Sequence, residues 1–408
     1  MSSLLPTTEA APLARSRSYG AIVWRQLRKR PAAMVSLGVS VLFAFLAVIA
    51  PFLAGEVPIR WVENGQVSWP IFRYLSNGEY AAMLGFALVL LAPITVRLLR
   101  RRAQRTGTGG WRWVFLAHLA VWLAVATALV AWREPERRYG FYLERAAEAE
   151  SARLVEPPVA AWFPLLATPR HPGYESVAHR DEAPSWRHPL GTDRLGQDIV
   201  LRILYGARTA MTIGFVAVGI GASIGIALGA VSGYFGRWVD LVLMRVAEVF
   251  MFIPQIVLII IILAVTPSWV PPLWAVVFVI GVTGWTGYYR YMRAELLRIR
   301  SEDYITAARA LGIPTWRLLL RHAVPNGMAP ILVGATFGIA GAVFLEASLA
   351  FLGLVQTPSW GEMLNDGRQH LEYWWVWASA GGAIFLTVFV YNLLGEAIRD
   401  AIDPRLKI

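Results

Sequence analysis

Ser301–Gly327 reads SEDYITAARALGIPTWRLLLRHAVPNG, a polar, helix-forming stretch set between apolar runs at Leu273–Tyr291 and Ile331–Leu354. Each run approaches the roughly 20 apolar residues needed to cross a bilayer. The segment between them therefore stands at a membrane face. Ser301 is placed to cap a helix, with Glu302 and Asp303 favouring its positive end. Gly312 and Pro314 stop that helix and start another, which Pro325, Asn326 and Gly327 close. The first helix is short, with Ile305, Ala308 and Leu311 on one face. Ala307 and Ala310 keep its bulk low. Such an element is either an ordinary solvated loop helix or a knob gripped by another protein.

Working outward, the 408-residue chain is 56% hydrophobic, and further runs of spanning length make it polytopic. The spacing predicts about eight membrane spans. They lie at Met34–Leu53, Ala81–Leu98, Val114–Ala131, Thr209–Val231, Leu241–Val265, Leu273–Tyr291, Ile331–Leu354 and Ser379–Leu394. The formal charge of +11 raises nucleic acid as a partner. The arginines, however, flank the apolar runs instead of forming a basic domain, so they report orientation in the membrane. Clusters at Arg25–Arg30, Arg97–Arg112, Arg293–Arg321 and Arg399–Lys407 fall on one side with an even span count. That side is cytoplasmic by the positive-inside rule, as are both termini. The loops Gly55–Tyr80 and Arg133–Arg208 then lie outside, the second with an early helix at Arg137–Leu154.

Gly221, Gly225, Gly229 and Gly233 recur at four-residue spacing in the fourth span. They form one ridge where another helix can approach closely, as static packing or as a sliding contact. Glu346 lies well inside the seventh span and Glu248 near the cytoplasmic end of the fifth. Charges at that depth face a partner or a water-filled path. His118, in the third span, reads as a hydrogen-bonded core residue.

Several chemistries are absent. There is no cysteine, which removes disulfides, thiolate metal sites and Cys nucleophiles. Lys29 and Lys407 are the only lysines and neither follows a Gly-rich loop, so the chain holds no Walker A site. No catalytic cluster or metal-ligand spacing is visible, and an enzyme is not expected.

Thr306-Ala307-Ala308, then Gly312 and Pro325, resembles the EAA loop of bacterial ABC importer permeases. Other stretches resemble the C-type permease of the dipeptide, oligopeptide and nickel group. The first is His188-Pro189-Leu190-Gly191-Thr192-Asp193 through Gly196, Asp198 and Tyr205-Gly206-Ala207-Arg208. The second is Glu346-Ala347-Ser348-Leu349, Phe351-Leu352-Gly353-Leu354 and Pro358-Ser359-Trp360-Gly361. The third is Asn392-Leu393-Leu394-Gly395 with Arg399-Asp400 and Asp403-Pro404-Arg405. The order holds from His188 to Arg405, and more loosely from Tyr19 to Phe52.

This resemblance implies an all-α, polytopic helical bundle of the type I, MetI-like transmembrane domain, lying in the bacterial inner membrane. Residues 1–54 would carry the cytoplasmic N-terminus and first span, 55–187 an insertion with two extra spans, and 188–408 the permease core. It implies a pore subunit for peptides, paired with a B-type permease, two ATPase subunits and an extracytoplasmic solute-binding protein. ATP and magnesium would be bound by the ATPases, with no cofactor in this chain. The coupling residues carried over are Thr306, Ala307, Ala308 and Gly312. The family's glutamate is Thr306 here, so its charge contact is missing or is supplied by Glu302 or Asp303. Glu346, within a permease motif, is expected to pair at the subunit interface. His188–Arg208 is expected as an amphipathic elbow entering the fourth span, and Val57–Phe72 resembles the Yej-type branch. The rivals are an ion-coupled secondary transporter, which should show an inverted repeat, and a polytopic enzyme acting on lipid-linked substrates.

Overall fold

A computed structural model describes residues 19–53, 57–63, 65–75, 159–162 and 180–402, with isolated positions 80, 83, 95 and 97. The expected second and third spans, His118 and the outer helix at Arg137–Leu154 lie outside the described residues.

Helix α1 (Tyr19–Arg28) precedes α2 (Pro31–Leu53), which Pro31 opens at a position where its missing N–H is no loss. Two short strands follow, β1 (Arg60–Glu63) and β2 (Gln66–Ser68), then a turn of helix, α3 (Pro70–Tyr74). β1 also pairs antiparallel with β3 (Val159–Trp162), giving the order β2-β1-β3. The helical bundle thus carries a small sheet, built from the segment read above as a plain outer loop.

The fourth span is longer than expected. Helix α4 runs Ile199–Phe235 without interruption. The Asp198 carboxylate accepts the Val200 N–H at its start, and a wide π turn at Ile213–Ala217 shifts its register. The fifth span is broken. Helices α5 (Arg237–Phe252) and α6 (Gln255–Val265) meet at 87°. Pro254 lacks an amide hydrogen and forces Ile253 into extended backbone, so the helical ladder cannot continue. The sixth is jogged, with α7 (Pro272–Thr283) and α8 (Trp285–Ile299) joined at Gly284.

Helix α9 (Asp303–Ala310) and helix α10 (residues 315–326, with a π turn at Leu319–Ala323) form the polar hairpin. Helix α11 (Ala329–Phe351), the short α12 (Trp360–Arg368) and the long α13 (Trp374–Ile402) complete the chain. Ser359 caps α12 by accepting the Glu362 N–H. Among the described residues, four helices are long and apolar enough to cross a membrane, or five if the bent pair is one span.

The bundle has two distinguishable ends. At one, the Trp375 indole donates to Thr192 and the start of α13 meets the segment before α4. At the other, Arg30 pairs with Asp400, tying the beginning of α2 to the end of α13. The hairpin lies at this second end, since α11 leaves it and runs toward α12.

Candidate functional site

The hairpin hangs on a buried pin. Ile305 is fully buried and packs with Leu296, Ile299, Leu318 and Ala323, which joins α9 to the end of α8 and to α10. The start of α9 differs from the sequence expectation. Ser301 does not cap it; its hydroxyl turns back to the Arg298 carbonyl, and the helix begins at Asp303. The end follows glycine chemistry closely. Gly312 has φ +73°, its N–H donates to Arg309, and the Ile313 N–H donates to Ala308. Leu311, expected to share a face with Ile305 and Ala308, is 81% exposed while Ile305 is buried, because the left-handed turn carries the chain away from the bundle one residue later.

The outward face is therefore Thr306, Ala307, Ala310 and Leu311, joined by the exposed Trp316 and Leu320 on α10. These last two stand four residues apart and share one face. They are the residues that sequence reasoning passed over, although an aromatic and a leucine at helical spacing in a water-facing segment were the signal. Thr306 bonds only its own helix, donating to the Glu302 carbonyl at 3.4 Å. Glu302 already pairs with Arg298 at 2.9 Å, so it does not stand free to replace the family's glutamate. Asp303 has no ion-pair partner among the described residues. The hairpin is braced by Arg309, whose guanidinium lies over Tyr234 and donates to its hydroxyl at 3.3 Å. Asn326 donates to Tyr304 at 3.1 Å.

Behind the hairpin, α8 is pressed against α4 along the glycine ridge. A Cβ on Gly225 would lie 2.7 Å from the Trp285 carbonyl, one on Gly229 2.6 Å from that of Tyr289, and one on Gly233 2.6 Å from that of Arg293. Gly221 faces the carbonyl of Gly281 at 3.1 Å. Backbone thus touches backbone within one subunit, where dispersion supplies the attraction that lipid cannot. A polar clasp closes the same contact. Arg293 donates twice to Asp240, at 2.5 and 2.6 Å, and Asp240 also accepts from Ser232. Directly behind the hairpin, α8 and α4 are thus held to each other by backbone packing and by this ion pair.

At the opposite end, His188–Asp198 is no amphipathic helix but a compact knot. Asp193 accepts the N–H groups of Leu195 and Gln197, both at 2.8 Å, and pairs with Arg202 at 2.9 Å. Arg202 continues to Asp366 at 2.8 Å. His188 meets Asp198 at 3.0 Å. Burial pushes the Glu362 carboxyl up, against the pull of Arg202 beside it. The reason for the difference is satisfaction: short polar side chains close turns on themselves more readily than they line a helix face.

Glu346 is also corrected. It is 1% exposed and accepts from Thr357 of its own chain at 3.2 Å, instead of waiting at a subunit interface. Along α11 it lies about 25 Å from the hairpin end, so it joins neither the coupling face nor the ridge. Glu248 is half-buried and paired with Arg245 at 2.6 Å.

Residues 225–408 match the family described as binding-protein-dependent transport system inner membrane component. Residues 18–63 match the N-terminal TM domain of oligopeptide transport permease C. The dipeptide transport system permease protein DppC of Alkalihalophilus pseudofirmus is 36% identical over 253 residues, which is 61% of this chain and 82% of that one. The chain belongs to the peptide ABC importer permeases. The oligopeptide transport system permease protein OppC of Bacillus subtilis is 37% identical over 236 residues, 57% of this chain and 76% of that one. A solved methionine ABC transporter, MetNI in inward-facing form, covers 50% of this chain and 98% of its own at 18% identity and TM-score 0.41. As a permease of this family, the chain is a membrane-embedded pore subunit that works with an ATPase and other subunits, and it is not itself the enzyme. The family match also disposes of the secondary transporter and the lipid-linked enzyme.

Proposed function

We propose that this permease forms half of a peptide pathway and takes its driving force through α9. The observation that supports this reading is the hairpin's construction. Its inner residue, Ile305, is buried, while Ala307, Ala310, Leu311, Trp316 and Leu320 stand in the open. Small residues let a cleft close around the helix, and the exposed apolar side chains supply area that a partner can bury, at about 25 cal/mol per Å². Thr306, Ala307, Ala308 and Gly312 shape the knob, with Asp303 as its available carboxylate.

The full assembly we propose contains a B-type permease, two ATPase subunits holding ATP and magnesium, and an extracytoplasmic solute-binding protein. ATP closes the motor pair, α9 moves with it, and the zipped α8–α4 unit transmits the shift to the pathway. Both termini and the hairpin face the cytoplasm, and residues 55–187 are an insertion between the first span, in 1–54, and the 188–408 core.

The absence of cysteine makes the test direct. Ala307→Cys, exposed on α9, should crosslink to a single cysteine in the ATPase cleft of the assembled complex. Ala380→Cys, fully buried in α13, should remain silent. Failure of Ala307→Cys to crosslink in an assembled, ATP-hydrolysing complex would sink the assignment of α9 as the docking element.

A further inference from the structure

Three breaks in helical regularity converge on one cavity of about 330 Å³ within the bundle. Ala217 brings the π turn of α4, Gln255 the 87° break before α6, and Gly284 the jog between α7 and α8. Non-helical backbone at membrane depth is tolerated where it is buried in protein or lines a water-filled cavity. The remaining wall is apolar, with small residues such as Gly338 and Ala342 beside the larger Val218, Ile280, Phe344 and Leu345.

Tyr288 supplies the decisive group. It is 8% exposed, yet its hydroxyl has no hydrogen-bond partner among the described residues. The hydroxyl points over Gly338, where an added Cβ would lie only 2.1 Å from it. Gly338 lines the same cavity, so the absent side chain leaves the hydroxyl facing open space. Gln255 stands at the edge, its amide nitrogen 3.5 Å from Thr283, at the limit of a hydrogen bond. Its carboxamide oxygen has no partner among the described residues.

We infer that this cavity is a binding site for the peptide backbone, with Tyr288 and Gln255 hydrogen-bonding a peptide unit of the cargo. The ligand chemistry follows from what the walls offer. No charged side chain lines the cavity, so a free terminus or an ionic side chain would lie there uncompensated. A neutral amide needs one donor and one acceptor, which a hydroxyl and a carboxamide provide. With no other polar side chain in the wall, Tyr288 and Gln255 read the main chain, which every peptide shares. The inference rests on the peptide reading above and adds to it the residues that touch cargo inside the membrane.

The experiment uses the complete complex in proteoliposomes, with a transported peptide and the same peptide N-methylated along its backbone. The wild-type complex should import the methylated form roughly fivefold more slowly, the scale of one lost hydrogen bond. Tyr288→Phe keeps the ring and removes only the hydroxyl. It should slow the unmodified peptide by a similar factor and erase the difference between the two cargoes. Gly338→Ala should do the same by displacing the hydroxyl. Undiminished discrimination in Tyr288→Phe would overturn the site while leaving peptide import intact. A loss confined to assembly with the second permease would also overturn it, since the cavity would then be an interface pocket. A wild-type complex importing no peptide would remove the underlying reading and the site with it.

Discussion

The knot at His188–Asp198 and the hairpin at Ser301–Gly327 look alike as strings of letters. Both are polar, punctuated by glycine and set beside apolar spans, and both carry a threonine and acidic residues in a family motif. In the fold they are opposites. Thr192, Asp193 and Asp198 are at most 4% exposed, and both aspartates are held by backbone amides and side chains. Thr306, Asp303 and Ala307 are open to solvent. The same residue types therefore lock one end of the bundle and leave the other ready for a partner. Burial decides which, because a polar group out of water must be satisfied within the chain and a solvated one need not be.

The largest effect should come from breaking the knot. Asp193→Ala leaves Arg202 with Asp366 and Glu362 alone and strands two part-buried backbone amides, and should destabilise the chain by about 3–5 kcal/mol. Thermal unfolding in detergent would show it, with Asp193→Asn falling in between. The matching change at the other end, Asp303→Ala, should alter stability by less than about 0.5 kcal/mol and act on ATPase coupling alone. Equal unfolding temperatures for Asp193→Ala and Asp303→Ala would erase the contrast.

Next comes the ridge that links the hairpin to the bundle. Gly225→Val should cost about 1–3 kcal/mol through overpacking, because its Cβ would lie on the backbone of α8. Gly219 is on the same helix with nothing within 4 Å, so Gly219→Val is the internal control. Equal unfolding temperatures for the two would mean that α4 and α8 are not zipped as described.

A smaller effect on stability than at Gly225 should follow from Gly312→Val. No atom lies within 4 Å of its Cβ position, and the penalty is the left-handed backbone alone, about 1–2 kcal/mol. Insertion and abundance should hold while uptake uncouples from ATP hydrolysis. Normal uptake and normal hydrolysis together would show that the turn does not transmit force.

Much of this was legible in the residues. Apolar length located α2, α11 and α13, and the glycine–proline punctuation placed the hairpin turn and its end. Four-residue glycine spacing announced a close helix contact, though its partner, α8 of the same chain, was not readable. The errors share a cause. Leu311 was grouped on one face with Ile305 and Ala308 by helical spacing that the left-handed turn interrupts. Ser301 was assigned as a cap because local propensity favours it, yet the preceding helix claimed its hydroxyl. Glu346 was expected to seek another subunit, and Thr357 reached it first.

What the sequence determined by itself is the membrane character, the spans among the described residues and the family, because hydrocarbon length and short ordered motifs are local properties of the chain. What tertiary structure decided is which polar residues are spent inside the fold and which are left facing outward. That outcome depends on groups distant in sequence meeting in space, as Arg202 meets Asp366 and Tyr288 meets the bare backbone of Gly338. Spacing along a chain does not encode such meetings; packing in a medium without water enforces them.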